Sequence, residues 1–69
     1  MYRKYLEATE LREMAFAARE RAASARRLAS RSPQNAALFQ RHAAEFEVKA
    51  AEVDRRREQV EAQIRKIEQ

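Results

Sequence analysis

Along nearly the whole chain apolar residues return at alternating steps of three and four, and the pattern breaks once, at Ser32-Pro33. Before the break the stripe runs through Ala8, Leu11, Ala15, Ala18, Ala22, Ala25 and Ala29. After it come Ala36, Phe39, Ala43, Phe46, Ala50, Val53, Arg57, Val60, Ile64 and Ile67, with Arg57 the single polar member. Such spacing gathers residues on one side of an α-helix and is the signature of a coiled-coil-like seam. Pro33 disfavours helix at Ser32 and suits the first position of a new helix, with Ser32 as its N-cap. The sequence therefore predicts an all-α, antiparallel two-helix hairpin with an alanine-rich seam. The whole chain, 1–69, forms one domain: a first helix over about 2–29, a turn at 30–32 and a second helix over about 33–66. One helix kinked at Pro33 would instead be a rod roughly 100 Å long at 1.5 Å per residue. The hairpin is preferred because stripes and charged flanks can be matched within one chain.

Composition narrows the alternatives. The chain has no glycine, no cysteine and one histidine, which argues against tight-turned sheet, disulfides and a compact zinc site. No apolar run is long enough for a membrane span or leader, so the expected setting is the cytoplasm, with no membrane association. Ser24, Ser30 and Ser32 have no partnering acid–base group, and no glycine-rich phosphate loop exists. Neither an enzymatic activity nor a cofactor is expected. His42 and Glu45 share a helix face, but the order is the reverse of the Glu-x-x-His spacing of bundle metal sites and a cation, Arg21, is expected opposite. A solvent-facing histidine is the reading, and no metal site.

Setting Ala29 opposite Ala36 gives a first register. The next layers become Ala22–Ala43, Ala15–Ala50 and Ala8–Arg57, alternating with Ala25–Phe39, Ala18–Phe46, Leu11–Val53 and Lys4–Val60. On one flank Arg12 then meets Asp54, Arg19 meets Glu47 and Tyr5 meets Glu61; on the other Glu7 meets Arg56. Arg57 falls in the seam, where a long cation must reach water or a carboxylate and can help to fix register.

Two features extend beyond the seam. Tyr2, Phe16, Ala23, Ala44, Val48 and Ala51 gather on one side of the hairpin, and Met14, Leu28 and Leu38 form a smaller group on the other. An alanine seam buries little area, so a second apolar face is expected to be covered. The expectation is a homodimer forming a four-helix bundle, with the Phe16 side as interface. The net charge of +4 concentrates near the turn, where Arg19, Arg21, Arg26, Arg27 and Arg31 face only Glu20. These arginines are candidate contacts for anions or an acidic partner. In layout the expected dimer is similar to the small RNA-binding bundles of plasmid copy control; no motif extends that likeness to function. The functional expectation is a non-enzymatic interaction or scaffold module that self-associates and binds a protein partner. The alternative is a small basic regulator binding nucleic acid through the arginines near the turn.

Overall fold

The computed structural model describes residues 2–68. Helix α1 spans Tyr2–Arg31 and helix α2 spans Ala36–Glu68, with a 3-10 turn at Pro33–Asn35 between them. The helices pack against each other along their length, giving a hairpin 54 × 14 × 12 Å. That length excludes the single rod.

The turn differs in detail from expectation. Helix α1 continues through Ser30 to Arg31, and the chain enters α2 through the 3-10 turn rather than an α-helical first turn. Ser32 has extended backbone (φ −131°, ψ 79°) and its side chain caps no backbone N–H. The reversal is closed by main-chain bonds instead: Ser32 N–H donates to Leu28 O and Asn35 N–H to Ser32 O, both at 3.0 Å. The Ser32 hydroxyl oxygen accepts from the Asn35 amide at 3.4 Å, which replaces the expected cap. Proline at the first position suits this entry, since its fixed φ belongs to either helix type and its missing N–H is no loss there.

Within the seam, Ala8, Ala15, Ala18, Ala22, Ala25 and Ala29 of α1 are buried, as are Ala43, Ala50, Val53, Val60 and Ile64 of α2. Leu11, Ala36, Phe39 and Phe46 are half-buried. Two clusters fix how the stripes mesh: Ala8 with Val60, Ile64 and Leu11, and Ala22 and Ala25 with Ala43 and Phe46. Ala22 and Ala43 do meet, but Ala8 packs on Val60 and Ile64 rather than on Arg57. The register is thus displaced by about one turn from the one set by Ala29 and Ala36. The reason lies in the direction of the chains. In an antiparallel pair a backward step of four on α1 must meet a forward step of four on α2. Ala29 to Ala25 is such a step and is matched by Phe39 to Ala43, not by Ala36 to Phe39. Continuing, Ala22 lies level with Phe46, Ala15 with Val53, Leu11 with Arg57, Ala8 with Val60 and Lys4 with Ile64. Ile67 falls beyond the level of Lys4 and is 51% exposed, although its spacing belongs to the stripe.

Alanine opposite phenylalanine alternates with alanine opposite alanine through the half nearest the turn, so bulk on one helix fills the hollow left by the other. Among the described residues Val60 is the one large side chain fully excluded from solvent. No buried side-chain polar atom lacks a hydrogen-bond partner among the described residues.

Candidate interaction surface

The corrected register decides which charges meet. On the first flank Arg12 reaches Glu61 at 2.8 Å, Arg19 reaches Asp54 and Arg26 reaches Glu47. Each successive pair lies one heptad further along both helices. Arg12 and Arg19 therefore bind the carboxylates one heptad beyond those expected, and Arg26 takes the glutamate that had been assigned to Arg19. Tyr5 and Glu61 line the same hollow, but the carboxylate is held by Arg12. On the second flank Glu7 accepts from Arg56 at 2.9 Å, as expected, and Lys4 donates to Gln63 at 2.6 Å.

Arg57 joins two of these pairs. Lying in the seam and half-buried, its guanidinium reaches Glu61 at 3.0 Å and Asp54 at 3.5 Å. The chain Arg12–Glu61–Arg57–Asp54–Arg19 is therefore a continuous network of three cations and two anions across both helices. Sequence reasoning missed it, although the signal was present. Asp54 and Glu61 stand three before and four after Arg57, the spacings at which side chains share a helix face.

The network perturbs its members. The hydrogen bond from Arg19, followed by the nearby charges of Arg19 and Arg57, holds Asp54 below the usual aspartate range against a partial desolvation. Bonds from Arg12 and then Arg57 hold Glu61 below the usual glutamate range. The bond to Glu61 raises Arg57. Because both carboxyls titrate lower in the fold than in the unfolded chain, the unfolded chain binds more protons in the acid range. Their stabilisation is complete above the ordinary carboxylate range, from about pH 5, and is lost as pH falls below that range. Thermal unfolding should show Tm falling through that window. Asp54→Asn/Glu61→Gln should flatten the fall, and an undiminished fall in that variant would remove the network as its cause.

The same flank carries a line of shallow hollows with volumes between 220 and 340 Å³. They run from Arg26, Ser30 and Gln40 beside the turn to Tyr5, Arg65 and Glu68 at the open end. Phe16 lies between Arg12 and Arg19 on one wall, and Ala23 lies between Arg19 and Arg26. Phe16 is 66% exposed, Tyr2 78% and Val48 59%. Ala23 is half-buried, while Ala44 and Ala51 are exposed. The residues expected to form one face are thus on the surface; Val48, one helical turn from both Ala44 and Ala51, marks its outer edge. On the opposite flank Met14, Leu28 and Leu38 are all close to half exposed.

The arginines near the turn are less free than their sequence positions suggest. Arg19 and Arg26 are ion-paired, and Arg27 donates to Ser24 Oγ at 2.9 Å. Arg21 and Arg31 make no ion pair among the described residues. His42 is exposed, with its ring edge-on to Phe39 at 6.5 Å. Among the described residues no three His, Cys, Asp or Glu side chains lie together as a metal ion would require, and no helix is long and apolar enough to cross a membrane. Comparison with family models, curated proteins and solved structures returned no match to this chain.

Proposed function

We propose that the chain is a cytoplasmic, non-catalytic helical-hairpin module that self-associates through the flank bearing Phe16 and holds a protein partner on the surface left open. The observation that carries this reading is the exposure of Phe16 beside the seam, on a face that also bears Tyr2, Val48, alanines and paired charge. A two-helix rod has no second layer to cover such a face. Its surface of 5374 Å² exceeds the about 4,500 Å² expected of a compact monomer of this mass. The excess is close to the roughly 800 Å² that each partner contributes to a standard interface. The group Met14, Leu28 and Leu38 on the other flank remains available to a different protein.

Association stabilises the folded state in proportion to concentration. Tm should therefore rise when protein concentration is raised through the micromolar range. Phe16→Glu should abolish that dependence while leaving the helix content of the folded state unchanged. A wild-type Tm independent of concentration would contradict the reading. The regulator alternative is weakened by the ion pairs of Arg19 and Arg26. Micromolar binding to nonspecific DNA or RNA that falls steeply with salt would restore it.

A further inference from the structure

The flank bearing Phe16 is not uniformly charged. On its α1 side the charges beside the seam are Arg12, Arg19 and Arg26, while Glu13 and Glu20 stand on the outer edge, one turn from Phe16. On its α2 side stand Glu47, Asp54 and Glu61, continued by Glu58 and Glu68, with Arg65 the one base. Beside the seam the α1 row of the face is therefore positive and the α2 row negative.

Two hairpins stacked on this face by a two-fold axis have two extreme arrangements. With the axis across the hairpin, α1 lies on α1 and α2 on α2, so arginine meets arginine and carboxylate meets carboxylate. With the axis along the hairpin, α1 of each copy lies on α2 of the other, and opposite charges meet at the levels of Arg12, Arg19 and Arg26. The axial arrangement also keeps each residue at its own height. Phe16 then lands beside Ala51 of the second copy, and Ala23 beside its Ala44. A bulky side chain opposite a small one, and two small ones opposite each other, let the helices approach. In the transverse arrangement Phe16 meets α1 of the second copy instead, where Ala23 is the small residue, so packing volume allows both arrangements and charge decides between them.

Resting on the self-association proposed above, we infer that the occupant of this face is a second copy of the chain, related by a two-fold axis parallel to the hairpin, with both turns at the same end. Each of Glu47, Asp54 and Glu61 then gains a further arginine, and the four-helix unit alternates in charge around its axis. Like-charge juxtaposition excludes the other packing more strongly than the ion pairs favour this one. The two turns, each preceded by Arg31, are brought to one pole.

The absence of cysteine permits a direct test. Gln34→Cys places one spin label on the exposed 3-10 turn, away from the face. Dipolar spectroscopy on the labelled protein at dimer-forming concentration should give an inter-label distance of about 20–30 Å, as expected for turns on adjacent helix pairs plus label linkers. A distance near the 54 Å length of the hairpin would overturn the axial arrangement while leaving self-association standing. No inter-label distance would overturn both.

Discussion

Replacing Ala43 by leucine is expected to lower Tm by about 5–20 °C. Ala43 is completely buried and packs on Ala22 and Ala25, themselves 3% and 6% exposed. Three added carbons have nowhere to go unless the helices separate. Overfilling a packed site costs about 1–3 kcal/mol, and for a domain of 60–100 residues each kcal/mol moves the midpoint by about 4–8 °C. A two-helix seam is sensitive to such a wedge, because the layers on either side depend on the same close approach. The control is Ala17→Leu, an identical exchange at an exposed position of α1, expected to change stability by no more than about 0.5 kcal/mol. Equal effects at the two sites, read by thermal circular dichroism, would show that burial in the seam is not what distinguishes them.

The second expectation has the opposite sign. Arg57→Leu should raise Tm by several degrees. Arginine in a seam must hold its charge near water and leaves apolar neighbours such as Leu11 incompletely covered. Its removal would normally strand its acidic partners, but here neither is left alone. Asp54 keeps Arg19 and Glu61 keeps Arg12. The network passes from three cations and two anions to two neutral pairs, while leucine completes the apolar stripe between Val53 and Val60. Both carboxylates stand on α2 with Arg57 and reach it whatever the register; what the native alignment adds is Arg12 and Arg19 from α1 on those same two groups. A lower Tm in Arg57→Leu would mean that the bridge between the two flanking pairs stabilises the hairpin more than a continuous seam does.

The hairpin was legible in the sequence because three signals coincide at Ser32-Pro33: two stripes end there, the helix-forming composition pauses and proline fixes the backbone. The seam residues were equally legible, since an alanine returning every three or four positions has one face to occupy. Alignment was not, for the same reason that the seam is alanine. Ala22 can lie against Ala43 under more than one register, and only the larger residues, Phe39, Phe46, Val53 and Val60, together with the arginines of one flank, discriminate. Stepping those arginines along by one heptad leaves every sign matched, so charge alone could not separate the two pairings. Glu7–Arg56 on the other flank is common to the expected and the observed pairings. The Ser32 cap was misjudged because an N-cap side chain serves the N–H groups of an α-helical first turn, and the chain reverses through a tighter 3-10 turn closed by its own backbone. The exposure of Phe16 follows from its place outside the stripe, whereas the hollows beside it depend on where α2 sits and so on the register.

Self-association through this flank carries both the proposed role and the arrangement inferred for the dimer. Sedimentation velocity of the unlabelled chain across the micromolar range tests it most directly. The expected result is a species of twice the 8.1 kDa chain mass that dissociates on dilution and is lost in Phe16→Glu. A single 8.1 kDa species at every concentration, with a sharp melt that concentration does not shift, would contradict it.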